Sequence, residues 1–413
     1  MNQKYKVSPL RTLALAAQGL ITPLVEQENK SPTETDLLSL VKQMGCIQID
    51  TLQMVHRSQY LVPWSRLGDY DTAMLDDMLF GKEKRLFEGW QHAASIIPIE
   101  DYRYQLPRQI HIRENNLRSW LDRKQENQAL FSTVLERIKR EGPLRAADFE
   151  YDGPRRDSWW DWKPAKEALE FQYHIGNLMI ANRSKFQRVY GLKDHILPNW
   201  VDETKPTAAE RDRFWIEKSV KALGVCTPSQ AADYTWMKIR DSKPAVTQLL
   251  NEGVLVEIQV ELEDKSTQTM LIHTDNLPLL DQVCEGSIKP DRTTFLSPFD
   301  SVFWAKGRDQ MLWGFQHLIE MYFPAVKRKH GYYCMPILHK DKFMGRIDPK
   351  LLRKEKHLVI KSVLLDDKIK PDEELVIGIA SALKNFMKFH NAIELTIEKS
   401  NPEFLKKKIL SSM

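Results

Sequence analysis

Apolar residues recur at helical spacing along several stretches of the chain, and the polar positions between them mark where each stretch stops. Ser8 precedes Leu10, Leu13, Ala14 and Ala17, which fall on one helical stripe. Leu37, Leu38, Leu40, Val41 and Met44 predict a second helix over 34–44, and Gly45 stands where a left-handed cap would end it. From Cys46 to Asp50 the chain reads as extended. With a side-chain period of two, Ile49 then points one way while Gln48 and Asp50 share the other face. On an unbroken helix those two side chains would lie about 200° apart, so the break at Gly45 is what lets an amide and a carboxylate meet one small molecule. Further helices are expected over 70–81.

The same grammar then recurs twice. Residues 129–140 are amphipathic, Gly142-Pro143 breaks the pattern, 145–149 reads as a short second helix and 163–177 as a third. Residues 178–181 and 186–190 read as strands around the turn 182–185. Three helices and a two-stranded ribbon make a winged helix-turn-helix. In the next repeat Thr207 caps a helix to 223, with Glu210 completing a capping box. Cys226-Thr227-Pro228-Ser229 introduces a short helix to 234, 243–251 forms a third, and 254–260 with 269–273 forms the ribbon. From about 292 the chain is strand-rich: 332–338, 342–347 and 357–365 precede a helix over 373–390 and a last strand at 393–397. The expected class is therefore α+β, with three tandem winged helix-turn-helix units (1–125, 126–204 and 205–288) ahead of a strand-rich C-terminal domain (289–413).

Composition narrows the function classes. With 42% hydrophobic and 28% charged residues among 413, the chain is of globular type and long enough for several cores. A net charge of +4 permits nucleic acid without demanding it, so clustering decides. Arg183, Lys185 and Arg188 crowd the second ribbon, whereas the third turn, Glu261-Leu262-Glu263-Asp264, is acidic; the second wing is expected to approach phosphate and the third to avoid it. Lys327-Arg328-Lys329-His330 runs up to Tyr332 and Tyr333 and is read either as a solvated run or as a backbone clamp. Arg155, Arg156 and Lys163 flank Trp159, Trp160 and Trp162, an aromatic and basic surface unless the indoles are core. Lys406-Lys407-Lys408 reads as a solvated helix end.

The 4 cysteines are far apart, with no Cys-x-x-Cys pair, which points to a reducing compartment, and neither a Gly-rich phosphate loop nor a His-Glu-x-x-His motif occurs. No metal or cofactor is expected. The apolar run from Leu13 to Leu20 is too short for a signal peptide or membrane span, so the protein is placed in the cytoplasm.

The Gln48-Ile49-Asp50 triplet admits two readings. A carboxylate beside a carboxamide can take a proton from a water, or stabilise a cation, while the amide holds that water in line. Alternatively, Asp50 is the N-cap of a helix starting at Thr51.

Several motifs carry a resemblance. Gln48-Ile49-Asp50-Thr51, Trp64-Ser65-Arg66-Leu67 and Trp90-x-His92-Ala93-Ala94-Ser95 resemble the AlkZ/YcaQ family of DNA glycosylases, as do the Trp159 to Lys166 stretch, Leu296-Ser297-Pro298-Phe299-Asp300 and Gly345-Arg346-Ile347-Asp348-Pro349. The family's catalytic motif is Gln, an apolar residue, then Gln or Asp, and this chain is similar to the Asp branch. It departs at Ser58-Gln59-Tyr60, where relatives often carry a His pair.

The resemblance implies removal of alkylated purines from double-stranded DNA and unhooking of interstrand crosslinks by a monomer at the nucleoid, with Gln48 and Asp50 catalytic. Trp64, Arg66 and His92 join the basic clusters as candidate lesion or DNA contacts, His92 being equally readable as a buried structural histidine. Alkylation at N7 makes guanine a cationic leaving group. The enzyme then needs only a positioned water and a charge opposite the oxocarbenium-like sugar, and with no lysine in the triplet a monofunctional reaction leaving an abasic site is expected. The competing reading is a non-catalytic winged-helix transcription regulator that reads base edges.

Overall fold

The computed structural model describes residues 4–21, 31–123, 128–150 and 164–413. The chain divides into two compact units: residues 1–72, 91–95 and 212–413 form the first, and residues 73–90 and 96–211 the second.

In the first unit the helix Val7–Ala17 buries Leu10, Leu13 and Ala14 against Val260, Met270, Ile272 and Leu280. Its approach is set by a strand that the hydrophobic pattern does not announce. Lys4–Lys6 pairs in parallel with Leu255–Glu261, whose other edge is the antiparallel partner Thr267–His273. Two further helices, Pro228–Tyr234 and Ile239–Asn251, pack on that hairpin through Ala231, Tyr234, Leu249 and Leu255. Thr227 caps the first of them, accepting from the Gln230 amide. The second starts at Ile239, not at residue 243: Lys238 is its extended N-cap, and the Lys238 carbonyl already accepts from the Asp241 and Ser242 amides at 2.9 and 3.1 Å, ahead of Pro244.

The C-terminal part of this unit is a five-stranded sheet in the order Thr293–Phe295, Met335–His339, Lys342–Leu352, His357–Leu365, Glu394–Asn401. The first three pairings are antiparallel and the last is parallel. A parallel neighbour requires a crossover. The helix Glu373–Phe389 supplies it, capped by Asp372, with Leu375, Ile379, Leu383 and Phe386 buried.

The second unit carries a core of Val134, Ile138, Phe149, Ala168, Leu169, Ile180 and Tyr190. Around it stand the helices Gln128–Glu141 and Pro164–His174 and the hairpin Leu178–Ser184 with Gln187–Leu192, and the helix Leu106–Arg123 joins them through Arg113, which donates to the Ile175 carbonyl at 2.5 Å. Two expectations are corrected here. The stretch expected as a short helix over 145–149 is a strand residue pair, Leu144–Arg145, followed by a single 3-10 turn, Ala146–Asp148, because Leu144 and Arg145 pair with Tyr190 and Val189. The hairpin turns at Lys185 and Phe186, with φ of 48° and 67°, not over 182–185. Two successive left-handed residues match the strand twist, and Asn182 and Arg183 are thereby drawn into the ladder.

Among the described residues the cysteines are free, Cys284 alone of the four exposed. Among the described residues no helix is long and apolar enough to cross a membrane. The chain is thus a mixed α+β protein of many helices and several sheets.

Candidate active site

The site begins where a helix is made to stop. Glu34–Met44 starts in a capping box, Thr33 and Asp36 exchanging hydrogen bonds, and ends at Gly45, whose φ of +81° a side chain would disfavour. The Met44 carbonyl, left open at the helix end, accepts from the Tyr234 hydroxyl at 2.6 Å. The chain then runs extended, and the Ile49 amide donates to the Ala94 carbonyl at 2.8 Å. Ile47 and Ile49 are buried while Gln48 and Asp50 are half-buried, the alternation an extended segment requires.

Asp50 is not the cap of a helix at Thr51. Residues 51–57 are irregular, and the next helix, Ser58–Leu67, starts behind Arg57. The Asp50 Oδ1 instead accepts from the Leu52 amide at 2.7 Å, a local Asx turn, and the Asp50 amide donates to Gln59 Oε1 at 3.4 Å. That turn leaves Oδ2 without a bond to the protein among the described residues. Burial pushes the Asp50 carboxyl above its ordinary value, against the Leu52 hydrogen bond and the Arg57 charge, which hold it down.

The loop after Asp50 is fastened from the C-terminal sheet. The Leu351 amide donates to the Met54 carbonyl at 2.9 Å, and Arg353 Nη2 donates to the Gln53 and Val55 carbonyls at 3.1 and 2.5 Å. Ser58, fully buried, shares a hydrogen bond of 2.8 Å with Ser297. The Asp50 charge also reaches the Tyr322 and Tyr333 hydroxyls, whose pKa it helps burial to raise. A cavity of about 550 Å³ lies elsewhere in this unit, lined by Gln53, His56, Tyr70, Arg353, Lys388 and His390 but by neither Gln48 nor Asp50. Burial holds His56 at about 3 and His390 at about 4, so both rings are neutral at pH 7.

The other candidate residues separate into distinct environments. Trp64 is not a DNA contact: it is 3% exposed and packs on Phe386, Phe389 and Phe295. Arg66 is not one either. Its guanidinium, wholly buried, meets Asp300 and donates through Nε to the Gln18 carbonyl at 3.1 Å. His92 stacks on Trp304 at 4.3 Å with the planes 5° apart, and Trp236 meets it edge-on. Burial takes the imidazole down to about 4, with the Tyr234 and Asp233 backbone opposing, so this half-buried ring is neutral.

The second ribbon is corrected as a phosphate surface. Arg183 is held in a two-pronged ion pair by Glu88, at 2.5 and 2.7 Å, and Arg188 pairs with Glu170 at 2.8 Å; the two arginine side chains are 14% and 16% exposed. Only Lys185 of the three is exposed.

In the run before Tyr332, Arg328 and His330 are turned inward. Arg328 Nε donates to the Phe323 carbonyl at 2.9 Å and its guanidinium lies 4.8 Å from the Tyr332 ring centre, while His330 sits 3.3 Å from Glu320. Lys327 and Lys329 are exposed and make no ion pair among the described residues. Arg155, Arg156, Trp159 and Lys163, like Trp160 and Trp162, lie outside the described residues.

Sequence reasoning missed Gln59, whose side chain accepts from the Asp50 amide, Ser297, which bonds Ser58 at the start of the next helix, and Tyr322, on whose hydroxyl the Asp50 charge acts. Gln59 and Ser297 stood in stretches already singled out, Ser58-Gln59-Tyr60 and Leu296 to Asp300, but nothing local brings those stretches together. Among the described residues no group of three or more His, Cys, Asp or Glu side chains could hold a metal ion.

A family model described as DNA glycosylase AlkZ-like matches residues 41–389. Among solved structures the chain is similar to the DNA glycosylase AlkZ of Streptomyces sahachiroi. The identity is 13% and the TM-score 0.61, over 96% of this chain and 99% of that one. At that identity the likeness is one of fold.

Proposed function

Because the chain belongs to the AlkZ-like DNA glycosylase family, we propose that it hydrolyses the N-glycosidic bond of cationic alkylated purines, N7-alkylguanine above all, in double-stranded DNA. By the same chemistry it unhooks interstrand crosslinks joined through such purines. The observation that carries this reading is Asp50: a half-buried carboxylate, raised by desolvation, with one oxygen spent on the Leu52 amide. Its other oxygen is the group to receive a water proton or to face the sugar cation. Gln48 stands two residues earlier on the same face of the extended segment, where its amide fixes that water.

N7 alkylation has already placed positive charge on the base, so no acid is needed to protonate the leaving group. What lowers the barrier is negative charge opposite the developing oxocarbenium ion in a partly desolvated site. The reaction is monofunctional: water is the nucleophile, the base departs, and an abasic site is left. The repeated helix and hairpin elements are read as three winged helix-turn-helix units that hold the duplex as a monomer binds it, with Lys327 and Lys329 among the phosphate contacts.

The test is incubation with duplex DNA containing 7-methylguanine, followed by alkaline cleavage of abasic sites. Strand cleavage that depends on the protein and on alkali supports a monofunctional glycosylase. Cleavage without alkali would indicate lyase chemistry. Sequence-selective binding with no base release would make the chain a regulator instead.

A further inference from the structure

Among the described residues, the largest concentration of exposed apolar side chain lies in one short loop. Tyr322, Phe323 and Val326 are 68%, 40% and 93% exposed; among the described residues Trp236 and Ile239, at 66% and 49%, form a smaller pair, while Trp200, Ile377 and Ile393 stand apart from one another in sequence. Water contact at three neighbouring positions is unfavourable unless something covers them.

This loop is held rigidly. Two single 3-10 turns, Glu320–Tyr322 and Ala325–Lys327, flank Pro324. The Glu320 side chain, 1% exposed, accepts from the amides of Lys329, His330 and Gly331 at 2.9, 2.8 and 3.3 Å. Asp348 accepts from the amides of Tyr332 and Tyr333, both at 3.0 Å. Two buried carboxylates thus clamp the base of the loop while its tip stays bare. Arg328 ties the middle together through the Glu320 and Phe323 carbonyls.

Two observations identify the occupant. Lys327 and Lys329 are exposed and unpaired among the described residues, directly beside the apolar tip. The chain leaving the loop is also tied to the Asp50 side of the unit, the Leu296 amide donating to the Pro336 carbonyl at 3.0 Å and Ser297 sharing a hydrogen bond of 2.8 Å with Ser58, and the Asp50 charge acts on the Tyr322 hydroxyl. Apolar side chains flanked by cations, next to a carboxylate proposed to act on a sugar, fit a duplex whose bases must be unstacked to expose that sugar.

We propose that Tyr322, Phe323 and Val326 form a wedge that enters the base stack beside the lesion, with Lys327 and Lys329 neutralising the flanking phosphates. This rests on the glycosylase reading above and names how the lesion is opened to Asp50.

The test uses the full chain and the triple variant Tyr322→Ala, Phe323→Ala, Val326→Ala, which removes exposed side chains and leaves Glu320 and Asp348 in place. A duplex carrying 2-aminopurine next to the lesion brightens when that base is unstacked, and the signal needs no base release. The wild type is expected to brighten it and the variant not to. Single-turnover release of 7-methylguanine should fall about ten-fold or more in the variant, and the deficit should shrink when the lesion faces an abasic linker, where unstacking is already easier.

A wild type that brightens the probe but releases no base would sink the glycosylase reading and leave the wedge standing. A variant that brightens the probe like wild type overturns the wedge and assigns the patch to a protein contact. A deficit of the same size opposite the linker also overturns it, since the residues would then act on the chemical step.

Discussion

Arg66 and Asp300, 234 residues apart, form an ion pair in which both side chains are wholly buried: Nη1 meets Oδ2 at 2.5 Å and Nη2 meets Oδ1 at 2.9 Å. Asp300 also accepts from the Val302 amide, and Arg66 donates to the Gln18 carbonyl and to Ser65 Oγ. The pair therefore joins the N-terminal helix, the Ser58–Leu67 helix behind Asp50 and the start of the C-terminal sheet. Removing one partner strands a charge where no water reaches. Asp300→Ala is expected to lower stability by about 3 to 5 kcal/mol, read by urea denaturation, with base release lost in proportion to unfolded protein. A variant as stable as the wild type would remove Arg66 and Asp300 from the frame of the site.

Asp50→Asn separates chemistry from stability. The raised carboxyl pKa means that the folded chain holds this proton more tightly than the unfolded one. Between the two pKa values stability therefore falls as pH rises, and above the folded value the whole cost of the buried charge persists. The Asn variant is spared that cost and should melt at or above the wild-type temperature at neutral pH. Release of 7-methylguanine should nevertheless drop about 10²-fold or more, the usual scale for loss of an electrostatic stabiliser. Gln48→Ala loses positioning and not charge, so its defect should be similar or milder. Wild-type release by a stable Asn variant would end the catalytic assignment.

The pH profile follows from the same carboxyl. Only ionised Asp50 can act, so release should decline on the acid side at a pH above the ordinary carboxylate value of roughly 4. The Arg57 charge opposes the shift, so Arg57→Gln should move the acid limb to higher pH. A limb that stays in place in that variant would show that another group titrates.

The second ribbon gives a contrast between neighbours. Arg183→Ala leaves Glu88, 1% exposed, without its principal partner, and should lower stability by about 3 kcal/mol or more. Lys185→Ala, at the exposed turn, should leave stability within about 0.5 kcal/mol. If the turn touches phosphate, only Lys185→Ala should also flatten the salt dependence of DNA binding, by about one unit of slope. Equal melting temperatures for the two variants would contradict the ion-pair geometry.

Much of this protein is local in origin. Helices such as Glu34–Met44 and Pro228–Tyr234 carry their own stripes and caps, Gly45 ends its helix by backbone sterics, and the extended Gln48-Ile49-Asp50 segment follows from that break. These were legible because each depends on residues within a turn or two of one another. The triplet and the order of motifs likewise carry the family resemblance in the sequence itself. Tertiary structure decided what each charge and ring is for. Arg183 and Arg188 read as phosphate ligands until Glu88 and Glu170 occupy them, and Trp64 and Arg66 read as surface until Phe386 and Asp300 enclose them. The strand Lys4–Lys6 exists because Leu255–Glu261 offers it an edge. In each case the partner lies tens to hundreds of residues away. A side chain's charge is written in its own codon, but its desolvation and its counter-ion are supplied by whatever the fold brings beside it.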